Sequence, residues 1–192
     1  MAQPGIPVDL IITKLAQDAE KVGKRAQKAA DVMLGALNTE LGPTPYRIVY
    51  EEDRVRLKHY SPAGGAQLNH PLLVVYAQIN RETMLDLQPG RSVVQNFLEG
   101  GVEVYMIDWG YPTRMDKFLT IDDHVNGYMD NIVDFILDRH QLSQLHLMGI
   151  CMGGTFSVIY SALHPQKVKN LVTTVTPTNF DTKKGLLHVW ME

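Results

Sequence analysis

The sequence predicts an α/β fold in which helices cover a mostly parallel β-sheet and a sharp strand–turn–helix motif holds the only cysteine. Strand and helix patterns alternate along the chain with short connections, which is typical of a parallel sheet with flanking helices. Two strands of alternating polarity precede them and indicate an antiparallel hairpin. After the third apolar strand comes Gly-Ile-Cys-Met-Gly-Gly, from Gly149 to Gly154, a spacing that suits a tight turn.

Length and composition favour one globular domain. The chain has 192 residues, of which 45% are hydrophobic and 20% charged. A net charge of −3 gives no reason to expect nucleic acid as a partner. A single cysteine excludes an internal disulfide framework and suits a reducing cytoplasm. The longest early apolar run, Leu10–Ile12, is too short for a signal peptide or a transmembrane segment.

The N-terminal region, residues 1–42, is predicted to be an amphipathic helix from about Asp9 to Leu37. One face is apolar and rich in alanine, and the other carries lysine, arginine and aspartate. Such a helix packs against the chain's own body or a partner helix, or it lies on the surface of an apolar particle. Both alternatives stay open at the level of sequence.

From residue 43 the elements follow in order. Gly42–Pro45 ends the helix, because proline cannot continue it. Arg47–Glu51 and Arg54–Tyr60 are predicted to form the hairpin. The later predicted elements are a strand at Pro71–Tyr76, a helix at Pro89–Glu99, a strand at Val102–Ile107, a helix at Thr120–Arg139, the cysteine strand, a helix at Gly153–Leu163 and a strand at Val168–Val175. This order is the first half of an α/β-hydrolase fold, whose chemistry gathers at the carboxyl ends of the strands.

Cys151 is the candidate nucleophile. In a nucleophile elbow, the strained residue between strand and helix lifts its side chain clear of the sheet. Gly149 and Gly153 would leave room for the close approach of strand and helix. The alternative is that Cys151 is a small buried hydrophobic residue.

Three tracts of the chain resemble the polyhydroxyalkanoate synthases. They are Gly149–Thr155, then Tyr76–Asn80 together with Leu85–Gly90, and Val104–Gly110. The resemblance extends over roughly residues 43–178. The short N-terminal region is similar to the class III and class IV synthases, which work as a catalytic subunit with a separate partner subunit.

The resemblance implies an acyltransferase that polymerises (R)-3-hydroxyacyl groups from coenzyme A (CoA) thioesters into a polyester and releases CoA. The growing chain would be held as a thioester on Cys151, and no cofactor is expected apart from the CoA thioester substrate. The implied partners are the hydroxyacyl-CoA, the growing polyester and a second synthase subunit in a homo- or hetero-oligomer. The implied location is cytoplasmic, at the surface of polyhydroxyalkanoate granules.

Attack on a thioester produces an oxyanion that needs hydrogen-bond donors. The backbone N–H of Met152 is the first candidate, and that of Gln78, or else of Ala77, is the second. Asp108 is interpreted as a structural residue that caps a turn. The histidines are interpreted as surface or packing residues, and no group of residues has the spacing of metal ligands.

The catalytic acid and base of an α/β-hydrolase follow the nucleophile along the chain. After Cys151 this sequence offers only Asp181, Glu192, His164 and His188. The resemblance implies that the family's acid and base lie beyond residue 192. We therefore expect residues 43–178 to be the N-terminal half of the fold, 179–192 to begin a cap, and the C-terminal half to be missing.

Two other functions remain open. A cysteine-dependent thioesterase or polyester depolymerase would use water in place of the hydroxyacyl acceptor. A non-catalytic module associated with granules would keep the elbow without its chemistry.

Overall fold

The computed structural model describes residues 18–31 and 41–179. Residues 18–31 form helix α1 and are exposed, and α1 belongs to a unit separate from the one that begins at Leu41. Glu20 and Lys24 form an i,i+4 ion pair of 2.6 Å on α1. The remaining residues of the predicted helix Asp9–Leu37 lie outside the described part of the chain.

The described residues of the second unit form eight strands in two sheets. They are β1 (Arg47–Glu52), β2 (Val55–Tyr60), β3 (Leu72–Val75), β4 (Asp86–Gln88), β5 (Arg91–Ser92), β6 (Val104–Asp108), β7 (Leu145–Ile150) and β8 (Val168–Thr174). The main sheet has the order β1-β2-β6-β3-β7-β8, and β4 and β5 form a small antiparallel pair.

In the main sheet the neighbouring strands β6, β3, β7 and β8 are parallel to one another. The pairs β1–β2 and β2–β6 at the hairpin end are antiparallel. β3 is central, since Leu72 is paired with Val104 of β6 on one side and with His146 of β7 on the other. The predicted hairpin is confirmed: β1 and β2 pair antiparallel, and the turn between them places Asp53 at a φ of 52°. β2 then pairs antiparallel with β6 and so joins the hairpin to the parallel strands.

The described residues of the second unit also form three α-helices. They are α2 (Val93–Glu99), α3 (Asp130–His140) and α4 (Met152–Leu163). Asp123–Met129 are π-helical turns that run directly into α3. Together with residues 121–122 they confirm the long helix predicted from about Thr120 to Arg139.

One predicted boundary is wrong. The helix predicted from Pro89 begins only at Val93, where Ser92 caps α2 by accepting a hydrogen bond from the N–H of Gln95 at 2.9 Å. Pro89 and Gly90 instead form the turn between β4 and β5, with Gly90 at a φ of 74°. Glycine adopts this backbone conformation at little energetic cost. Pro89 therefore lies in a turn between two strands and not in the first turn of a helix.

The core lies on both faces of the sheet, as expected for an α/β fold. Along β3, Leu73 and Val75 belong to the cluster that includes residues of α3 and α4. Leu72 and Val74 point to the opposite face, where they join Val94 of α2. This alternation follows from the two-residue period of a strand. No helix within the described ranges is long and apolar enough to cross a bilayer.

Candidate active site

Cys151 lies at the carboxyl end of β7, between the strand and α4. Its backbone has a φ of 54° and a ψ of −125°, a strained conformation for a residue with a side chain. The Cys151 N–H donates to the carbonyl of Thr174 at 3.0 Å, and its carbonyl accepts from the N–H of Gly154 at 2.9 Å. These two hydrogen bonds hold the backbone of Cys151 in its turn conformation. The side chain of Cys151 is exposed, so it is available to a substrate.

Three glycines let α4 pass close to the sheet. A Cβ on Gly153 would overlap the carbonyl oxygens of Val75 and Tyr76. A Cβ on Gly149 would lie 2.6 Å from the hydroxyl of Ser157, and one on Gly154 would overlap Thr176. Real Cβ atoms do not approach other atoms so closely, so the elbow needs glycine at these positions.

The two candidate oxyanion donors lie next to one cavity. Met152 is the first residue of α4, and Gln78 follows the end of β3; both line a cavity of about 460 Å³. In the described part of the chain, neither backbone N–H has a hydrogen-bond acceptor. First-turn N–H groups of a helix have no partner within it and are therefore suited to bind an anion.

Trp109 holds the loop that carries Gln78. Its indole N–H donates to the carbonyl of Tyr76 at 2.9 Å, and its own carbonyl accepts from Nε of Arg54 at 3.0 Å. Burial raises the pKa of the Tyr76 phenol above its usual value, and the nearby Cys151 raises it further by a smaller amount. The effect of Cys151 on Tyr76 indicates that this loop lies beside the elbow.

Asp108 is a buried carboxylate at the end of β6. It accepts the N–H of Gly110 at 3.0 Å, which closes the turn as the sequence predicted. Nη2 of Arg81 lies 3.5 Å from the same oxygen. Both contacts tie loops together.

No histidine in the described ranges forms a hydrogen bond with Cys151. His124 is buried against Trp109 and Phe156, and its Nδ1 lies 2.6 Å from the carbonyl oxygen of Thr120. His164 contacts Asn126 at 2.9 Å. The other described histidines contact different groups: His59 contacts Glu103, His70 contacts Lys169, His140 contacts Tyr105, and His146 contacts Asn170. Asp181 and His188 lie outside the described residues.

The sequence did not predict two features of the site. Trp109 and Arg81 lie within or beside tracts that carry the family resemblance, but no local pattern assigns them a contact. Their partners, Tyr76 and Asp108, are distant in sequence and become neighbours only when β3 and β6 pair.

Within the described ranges no group of three or more histidine, cysteine, aspartate or glutamate residues could hold a metal ion.

Two family models match the chain. The model described as "alpha/beta hydrolase fold" matches residues 66–191. The model described as "Poly-beta-hydroxybutyrate polymerase (PhaC) N-terminus" matches residues 9–97. The two matches overlap on the region of β3 and the Gln78 loop.

Curated relatives are similar over nearly all of this chain. The poly(3-hydroxyalkanoate) polymerase subunit PhaC of Thiocystis violacea is 43% identical over 187 residues, which are 97% of this chain and 53% of that protein. The PhaC subunit of Haloferax mediterranei is 46% identical over 95% of this chain and 37% of its own length. The chain thus spans about half, or less, of the relatives it matches.

Solved structures share the fold at low identity. A thioesterase domain from the curacin biosynthetic pathway aligns with a TM-score of 0.55 and 14% identity, covering 77% of this chain and 50% of the domain. A membrane phospholipase A described as a bacterial virulence factor aligns with a TM-score of 0.56 and 16% identity, covering 94% of this chain and 55% of that structure. At such identities the likeness establishes the fold only.

Proposed function

This chain belongs to the α/β-hydrolase family as a relative of the poly(3-hydroxyalkanoate) polymerases, and we propose that the protein polymerises (R)-3-hydroxyacyl groups from CoA thioesters through a thioester on Cys151. The observation that carries the proposal is a cysteine with an exposed thiol at a strained elbow, next to a cavity lined by Met152 and Gln78, whose backbone N–H groups have no acceptor among the described residues.

The first step exchanges one thioester for another. The Cys151 thiolate attacks the carbonyl carbon of the hydroxyacyl-CoA, and the N–H groups of Met152 and Gln78 stabilise the oxyanion. When the tetrahedral intermediate collapses, the bond between the acyl carbon and the CoA sulfur breaks and CoA leaves. Since the product is again a thioester, the acyl group stays activated for the next transfer.

The second step forms the ester bond. The 3-hydroxyl oxygen of another acyl unit attacks the carbonyl of the Cys151 thioester, its proton passes to a base, and the cysteine sulfur leaves. The described histidines contact groups other than Cys151. We therefore propose that the base comes from outside the described residues. A second subunit and the granule surface, both implied by the resemblance, belong to the same proposal.

The test is to supply the whole protein with (R)-3-hydroxybutyryl-CoA and measure released CoA, polymer and free hydroxy acid. We expect CoA release with polymer, and mass spectrometry of an acid-quenched sample should find the acyl group on Cys151. Cys151→Ala should abolish CoA release while the thermal unfolding transition is kept. Free acid in place of polymer would indicate a thioesterase, and polymer made by Cys151→Ala would refute the assignment of the nucleophile.

A further inference from the structure

Of the described residues that line the cavity with Met152 and Gln78, only Arg81 is ionised. Apart from Arg81, the described residues that line it are apolar or uncharged, and they include Ile79, Tyr111 and Met152. Arg81 and Tyr111 also line a second cavity of about 270 Å³. The side chain of Arg81 therefore stands between the two cavities, and it is 35% exposed. A ligand that extends from Met152 along both cavities would lie against a positive charge.

The pairing of Arg81 is loose in comparison with that of its neighbours. Its guanidinium lies 3.4 Å from a carboxylate oxygen of Glu82 and 3.5 Å from one of Asp108. Charge-assisted hydrogen bonds are shorter, about 2.7–2.9 Å. Glu82 has a better partner in Lys58 at 2.6 Å, and Asp108 has the N–H of Gly110. Both carboxylates would remain satisfied if Arg81 turned toward a ligand.

The ring of Tyr111, which lines the same two cavities, holds the Arg81 guanidinium in place. The Arg81 guanidinium carbon lies 4.4 Å from the ring centroid of Tyr111, within the range of a cation–π contact. Among the described residues, Nη1 of Arg81 has no hydrogen-bond partner. The side chain is thus orientated by its neighbours and still has N–H donors to offer.

We propose that Arg81 binds a phosphate group of the CoA portion of the substrate, a proposal that rests on the proposed function for the identity of the ligand. CoA carries a pyrophosphate and a ribose phosphate, so a cationic side chain in the wall of the cavity would attract the thioester electrostatically. Arginine is suited to this task because its planar group donates parallel hydrogen bonds to phosphate oxygens.

The test measures ligand affinity in the whole protein, in a Cys151→Ala background that prevents turnover. Isothermal titration with CoA and with pantetheine, which lacks the phosphates, should show that Arg81→Met weakens CoA binding about tenfold, or about 1.4 kcal/mol, and leaves pantetheine unaffected. The dependence of CoA affinity on salt should also become flatter. Titration with 3′-dephospho-CoA and 4′-phosphopantetheine then identifies which phosphate Arg81 contacts.

Arg56→Met is the matched control, because Arg56 lines the second cavity but not the one that holds Met152, and it pairs with Glu51 at 3.1 Å. It should bind CoA like the parent. If Arg81→Met fails to fold, Arg81→Lys is titrated instead, with a smaller loss expected for CoA alone.

Equal weakening of CoA and pantetheine, or no weakening of either, would overturn the proposal. An Arg81-dependent affinity for CoA in a protein that releases no CoA from hydroxybutyryl-CoA would instead refute the polymerase function and leave the phosphate site standing.

Discussion

Gly153 has no side chain at the point where α4 passes closest to β3. A Cβ there would overlap the carbonyl oxygens of Val75 and Tyr76, and backbone atoms cannot move aside as a flexible side chain can. We expect Gly153→Ala to lower the free energy of unfolding by about 2 kcal/mol or more, with a larger loss for Gly153→Val. Urea denaturation of the whole protein would measure both.

Gly127 is the matched control for this prediction. It lies in the π-helical turns before α3, and a Cβ there would meet no atom within 4 Å. Gly127→Ala should raise the free energy of unfolding by about 0.5–1 kcal/mol, because alanine loses less chain entropy on folding into a helix. If the Gly153→Ala protein had the same free energy of unfolding as the Gly127→Ala protein, α4 would not pack closely against β3.

The elbow is the part of the site that sequence predicts best. Its requirements are local: a strand, a cysteine in a strained turn and small residues on either side all fall between Gly149 and Gly154. The contacts of Arg81 and Trp109 could not be predicted in this way, because their partners come from other strands. Local patterns identify the nucleophile candidate, and only tertiary pairing supplies the cavity beside it.

At the scale of elements, a cluster of ionisable groups joins β2, β6 and α3. Nε2 of His59 lies 2.5 Å from Glu103, its ring stacks on Tyr105, and the Tyr105 hydroxyl lies 2.8 Å from His140 at the end of α3. Burial lowers the pKa of His59, although the Glu103 carboxylate opposes this effect. Folding therefore favours the neutral form of this histidine relative to the unfolded chain.

This cluster predicts how stability depends on pH. Because the pKa of His59 is lower in the folded state, the unfolded chain takes up a proton near pH 6.5, before the folded protein does as the pH falls. The contribution of His59 should be fully present above that pH and should be lost as the pH falls toward the folded-state pKa. We expect a smaller loss of unfolding free energy between pH 7 and 5 in His59→Gln, measured by denaturant titration. Identical pH profiles would contradict the prediction.

The wrong boundary of α2 also belongs to this scale. Proline at a first helical turn is a sound signal, but Pro89 is followed by Gly90, and Pro-Gly favours a turn with glycine at positive φ. The capping pattern of Ser92 with Gln95 marks the start of the helix more accurately. Pro89 is compatible with the start of a helix and Pro-Gly with a turn, and the pairing of β4 with β5 stabilises the turn.

At the scale of the whole molecule, the alternation of strands and helices predicts a mostly parallel sheet, but it does not give the order of the strands. β6 inserts between β2 and β3, so neighbours in the sheet are distant in sequence. That arrangement brings the end of β6, with Asp108 and Trp109, beside the Gln78 loop. The convergence expected at the carboxyl ends of the strands depends on this order.

β8 forms one edge of the described sheet, and no described strand pairs with its outer side. Val172 is 52% exposed, and Val175, just after the strand, is 77% exposed. Along its inner side β8 pairs with β7. An exposed apolar edge with unpaired backbone groups is a template for association with another chain.

From this edge and from the site we predict the behaviour of residues 1–192 expressed alone. The polypeptide should not polymerise hydroxybutyryl-CoA, because none of the described histidines forms a hydrogen bond with Cys151, so none of them is placed to take the proton of a 3-hydroxyl group. It should also self-associate through β8. Size-exclusion chromatography with light scattering and a CoA-release assay would measure both properties. A monodisperse monomer that releases CoA steadily would show that a base within these residues, His164 or His188, completes the site.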